Sequence, residues 1–123
     1  MIHFQEEIEA GLADYSAELG ARVLDYYGAT FGFEYSLPKM VRSWYGGDGV
    51  DGGINQDMVH VPGKGGAMEN WGLVLYSKET LMFDMEENDV DKRWRVLEVV
   101  AHELAHQWTG NLVTMKWSVV IFF

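Results

Sequence analysis

Leu12, Tyr15, Leu19, Val23 and Tyr26 recur three or four residues apart, the spacing that lines one face of a helix. The pattern predicts an amphipathic helix over Glu6–Ala29, closed by Gly28 and Gly32 and weakened by Gly11 and Gly20. Val41–Gln56 has no such period. Its glycines (Gly46, Gly47, Gly49, Gly52, Gly53) mark it as a loop. Asp57–Val61 reads as a short strand stopped by Pro62-Gly63, Leu73–Tyr76 as a second strand and Thr80–Phe83 as a third. Helical spacing then returns in Val90, Trp94, Leu97, Ala101, Leu104 and Trp108. Asn88 or Asp89 caps this second helix, Asp91 suits its first turn, and Gly110-Asn111 stops it. Leu112–Trp117 reads as extended, and Ser118–Phe123 is a bare apolar run. No repeat and no internal boundary is visible, so one α+β domain is expected.

Composition narrows the function classes. The chain has 123 residues, 48% of them hydrophobic and 23% charged, which suits a folded core. A net charge of −10 disfavours nucleic acid and anionic membranes as partners. No cysteine is present, so disulfides and thiolate metal sites are ruled out. No apolar run approaches the roughly 20 residues of a membrane span. Met1–Ala10 is too acidic for a secretory signal. The chain as given is expected to be soluble, with its compartment open: cytoplasmic, or the extracellular part of a membrane-anchored parent.

His102-Glu103-Leu104-Ala105-His106 is an H-E-x-x-H segment on the second helix. Residues four apart share a helix face, with Cβ atoms roughly 5–6 Å apart. Both imidazoles can therefore reach one zinc ion at about 2.0–2.1 Å. Glu103 lies about 100° round the helix, where its carboxylate can reach a water on the metal and act as general base without becoming a ligand. His3 and His60 fit no ligand pattern and are expected to be structural. Pro62-Gly63-Lys64-Gly65-Gly66 lacks the spacing of a phosphate loop, and Asp48 and Asp51 lack the spacing of a calcium loop.

Gly66-Ala67-Met68-Glu69-Asn70, followed by Trp71-Gly72-Leu73, joins the helix motif and the run Gln107–Thr114 in a pattern that resembles the M1 family of zinc aminopeptidases. Gly11–Tyr15 and Leu37-Pro38-Lys39-Met40 also look like that family, so the likeness covers most of residues 11–117. The resemblance implies the N-terminal part of a thermolysin-like catalytic domain. It also implies one Zn2+ held by His102 and His106, Glu103 as catalytic base, and a peptide with a free N-terminus as substrate. Glu69 would pair with the peptide's α-ammonium, and Gly66 and Ala67 would bind its backbone, with Met68 and Asn70 completing that subsite. A fixed partner for the amine places only the first peptide bond over the metal. Trp71 and Trp108 are expected to be core aromatics.

The sequence departs from the family pattern twice. The family's third ligand is a glutamate about eighteen residues beyond the second histidine, which falls at position 125, past Phe123. Ser118–Phe123 replaces the polar run that leads to it, and the family's oxyanion-stabilising tyrosine has no counterpart here. The expectation is weak zinc binding and no turnover by this chain alone, with a catalytically dead binding or regulatory fragment, or a gene-prediction artefact that never folds, as alternatives. The second departure is Val41–Gln56, inserted where the family runs almost directly from Leu-Pro-Lys-Met into the strand. It reads either as a true surface loop or as translated intron sequence, since Val41-Arg42 and Gln56 are compatible with intron boundaries.

Overall fold

The computed structural model describes residues 10–37 and 57–116. The helix start near Glu6, His3, Pro38–Met40, the loop Val41–Gln56 with Asp48 and Asp51, and the segment Trp117–Phe123 lie outside the described residues.

The first helix, α1, spans Asp14–Phe31. It begins later than the apolar period suggests. Gly11 adopts φ +74°, and its carbonyl accepts from the Asp14 N–H at 3.1 Å, so Ala10–Ala13 forms turns rather than helix. It ends at Gly32, whose φ of +69° is the left-handed cap that glycine adopts most readily.

Strands β1 (Asp57–His60), β2 (Ala67–Met68) and β3 (Leu73–Tyr76) form a sheet in the order β1-β3-β2. Central β3 runs parallel to β1, with Asp57 opposite Leu73 and His60 opposite Tyr76. It runs antiparallel to β2, with Ala67 opposite Tyr76 and Met68 opposite Leu75. The Leu73–Tyr76 strand has the bounds read from sequence, whereas two-residue β2 was not legible there.

Thr80–Phe83 is not a third strand. Lys78–Leu81 forms a single helical turn, α2. The Ser77 carbonyl accepts from both the Thr80 N–H (3.2 Å) and the Thr80 hydroxyl (3.1 Å), which closes the turn. Thr80, Leu81, Met82 and Phe83 are buried in succession, which explains why the run looked strand-like.

Helix α3 spans Val90–Ala105, capped by Asp89, whose Oδ1 accepts from the Lys92 N–H at 3.0 Å. Its buried face differs from the stripe expected from sequence. Val90 and Trp94 are exposed (71% and 65%), while Val96 and Val100, outside that stripe, are wholly buried; Leu104 and Trp108 of the stripe are buried as expected. The helix packs against α1 and α2 together, so its apolar arc faces the corner between them. It ends at Ala105, before Gly110-Asn111, and Leu112–Lys116 is not a strand; Val113 makes only an isolated bridge to Thr109.

The core joins Leu24, Val74, Tyr76, Leu81, Met82 and Phe83 to Val96, Val100, Leu104 and Trp108. Trp108 is buried as expected, and its Nε1–H donates to the Phe33 carbonyl at 2.8 Å. Tyr27, Phe31 and Tyr35 pack around its ring. Trp71, expected in the core, is 43% exposed, because it sits in the turn before β3. Among the described residues, no helix is long and apolar enough to cross a membrane.

Candidate active site

The packing of α3 splits its motif. Glu103 turns inward and is 7% exposed, while His102 is exposed and His106 half-buried. His102 Nε2 and His106 Nε2 lie 3.2 Å apart. Zinc bonds of 2.0–2.1 Å at a tetrahedral angle place two donors about 3.3–3.4 Å apart, so this separation fits one shared ion. His106 Nδ1 is 3.0 Å from the Thr109 carbonyl. A carbonyl only accepts, so Nδ1 carries the proton and Nε2 presents its lone pair, the arrangement of a metal-ligating imidazole. Among the described residues, no group of three or more histidine, aspartate or glutamate side chains forms a metal cage. The two imidazoles thus fit part of a zinc site.

Glu69 reaches the same place from the sheet. It follows β2 directly, and its Oε1 lies 4.0 Å from His106 Nε2. Its carbonyl accepts from Asn111 Nδ2 at 2.8 Å and Gln107 Nε2 at 3.4 Å. The Gly66 carbonyl accepts from the Ser77 N–H at 2.7 Å. Antiparallel bonding alternates, so Gly66 faces β3 while the N–H and carbonyl of Ala67 face the outer edge of the sheet. Of the two backbone positions expected to bind substrate, Ala67 is therefore the one directed outward, and the Gly66 carbonyl is committed within the sheet. Met68 and Asn70 are exposed beside it.

The Glu103 carboxyl titrates above its ordinary value. Burial is the main cause and the neighbouring Glu69 carboxylate adds to it; His102, His106 and Lys64 oppose them. Its Oε2 is buried with no hydrogen-bond partner among the described residues. The Tyr76 hydroxyl is likewise buried and unpartnered among the described residues. Burial first, and Glu103 second, push that phenol far above its ordinary range.

The structure brings His102, His106, Glu103 and Glu69 together. Sequence reasoning missed Gln107 and gave Asn111 only a helix-stopping role. One signal was present: Glu103 and Gln107 are polar residues four apart, continuing the buried face of Val96 and Val100.

Residues 15–123 match the Peptidase family M1 domain. The chain is 42% identical over 106 residues to bovine (Bos taurus) glutamyl aminopeptidase, covering 85% of this chain and 9% of that protein. It is 47% identical over 104 residues to the alanine/arginine aminopeptidase of Saccharomyces cerevisiae, covering 84% of this chain and 10% of the relative. It is 42% identical over 106 residues to aminopeptidase N of Acetobacter pasteurianus, covering 85% of this chain and 25% of the relative. The chain thus spans about a tenth of the length of the first two relatives. A match over most of its length, joined to a helix whose paired imidazoles meet a sheet-borne glutamate, makes this chain a member of the M1 peptidase family.

Proposed function

We propose that this chain supplies the metal-binding helix and the amine-recognition loop of a zinc aminopeptidase that releases N-terminal residues from peptides. The single observation that carries the reading is the approach of the Glu69 carboxylate to the imidazole pair, Oε1 to His106 Nε2 at 4.0 Å. A carboxylate so placed pairs with a peptide's free α-ammonium and leaves the first peptide bond beside the two histidines. Ala67, on a sheet edge, offers its backbone to an extended peptide as a further strand would. His102 and His106 would hold zinc, which when bound supplies Lewis-acid polarisation of the carbonyl and of water. Glu103, whose proton affinity burial raises, takes a proton from the attacking water at its carboxylate and passes it to the nitrogen of the leaving amine.

A polypeptide of these 123 residues contributes two converging imidazoles among those described. We therefore expect weak zinc binding and no measurable turnover from it alone, which also accommodates a binding fragment without catalysis. The test is zinc stoichiometry of the purified chain, with an aminoacyl fluorogenic substrate assayed with and without chelator. Zinc uptake that His102→Ala abolishes supports the metal reading, and uptake indifferent to that substitution refutes it. Robust chelator-sensitive cleavage would overturn the expectation of inactivity.

A further inference from the structure

We propose that Gln107 and Asn111 are positioning residues that hold the Glu69 carboxylate in register with the imidazole pair, an inference resting on the reading of Glu69 as the amine partner. Asn111 Nδ2 donates to the Glu69 carbonyl at 2.8 Å, and Gln107 Nε2 donates to the same oxygen at 3.4 Å. Gln107 Oε1 accepts from the Gly72 N–H at 3.2 Å. The Gln107 side chain is almost fully buried, and burying a primary amide is costly unless both its ends are paired.

Here both ends pair with one short segment. Glu69–Gly72 leads into a turn closed by the Leu73 N–H donating to the Asn70 carbonyl at 3.0 Å. The single amide of Gln107 spans this segment much as a neighbouring strand would. The Glu69 carbonyl has two lone pairs, and the two side chains use them both. The other end of the clasp is fixed to the helix terminus. Gln107 follows His106 directly, and the Asn111 N–H donates to the His106 carbonyl at 3.0 Å.

Residues 69 and 106 are therefore joined by two short hydrogen-bonded paths that bypass the 36 intervening residues (70 to 105). With the backbone pinned, only side-chain torsions separate the carboxylate from the imidazoles. The clasp thus fixes how far a bound α-ammonium sits from the metal-binding rings, and so which peptide bond is presented. This role differs from general support of the fold, because it acts on recognition of a charged amine.

The test uses the 15N-labelled full 123-residue chain without metal, titrated with leucinamide and with N-acetyl-leucinamide, which lacks the charge. The wild type is expected to show saturable shifts around Glu69 with the free amine alone, and Glu69→Gln to lose them. Asn111→Asp, which removes the donor, and Gln107→Leu are each expected to weaken leucinamide binding about fivefold or more. Gln107→Leu should also speed exchange of the Gly72 amide, whereas Gln107→Glu, which keeps the acceptor, should retain that protection. If the wild type fails to distinguish the two probes, the amine-partner reading falls and this inference with it. If it distinguishes them and Asn111→Asp, still giving a dispersed folded spectrum, binds leucinamide as tightly, the positioning role alone is refuted.

Discussion

Replacing Glu103 by Gln exchanges a buried carboxylate for a neutral amide of the same shape, and we expect stability and catalysis to respond with opposite signs. Glu103 is 7% exposed, its Oε2 is unpartnered among the described residues, and Glu69 repels its charge. An unpaired buried polar group costs about 1–3 kcal/mol, and a charged one more. The amide keeps only the neutral part of that cost, so the variant should gain on the order of 1 kcal/mol near neutral pH. For a chain of this size that raises Tm by about 4 °C. The pH dependence follows from linkage. The folded carboxyl titrates above its ordinary value of 4.5, so the folded state holds this proton more tightly than the unfolded state. Stability of the unsubstituted chain therefore falls as pH rises from 4.5 through the raised value. The advantage of Gln should be complete above that window and vanish below about pH 4, where the carboxyl is protonated in both states. Thermal unfolding of the metal-free chain, followed by circular dichroism at pH 7.5 and pH 4, measures both arms. A variant less stable at neutral pH, or an advantage unchanged at pH 4, would refute the burial argument. In an active parent enzyme the same substitution should abolish turnover, because an amide cannot accept the proton.

Three further substitutions probe the supports of the site. Gly110 adopts φ +133°, and an added Cβ would lie 3.1 Å from His106 Nδ1, so Gly110→Ala should cost about 1–3 kcal/mol and displace the His106 ring signals in an NMR spectrum. Leu104→Ala empties a wholly buried position between the motif residues and should lower the denaturant midpoint by the equivalent of about 2–5 kcal/mol without changing its slope. Asp89→Ala removes the cap on the Lys92 N–H and should cost about 1 kcal/mol, while amides in the last turn of α3 keep their exchange protection.

Local signals made part of this structure legible. Asp89 and the following period announced α3, and a short apolar run between Gly72 and Ser77 announced the strand Leu73–Tyr76, because caps and strand breakers are written within a few residues. The buried arc of α3 was not written that way. A stripe through Val90 and Trp94 and one through Val96 and Val100 both satisfy helical spacing, and the corner made by α1 and α2 selects the second. Thr80–Phe83 misled for a related reason, since a short buried run carries no period that separates strand from turn. In the site, the histidine spacing was readable because one helix sets it. The partnership of Gln107 with the backbone of Glu69 and Gly72 joins chain segments 35 or more residues apart, beyond the reach of any local pattern.

The end of α3 at Ala105 has a mechanical consequence for the paired rings. His102 rides on regular helix, whereas His106 stands where the backbone bonds tighten, with the Gln107 N–H reaching the Leu104 carbonyl and the Trp108 N–H the Ala105 carbonyl. The grip is thus built with one jaw on regular helix and one on a run of tight turns, which Trp108 anchors in the core. Because two different supports carry the two rings, a substitution that unwinds the tight turns should displace His106 and leave His102 on its helix.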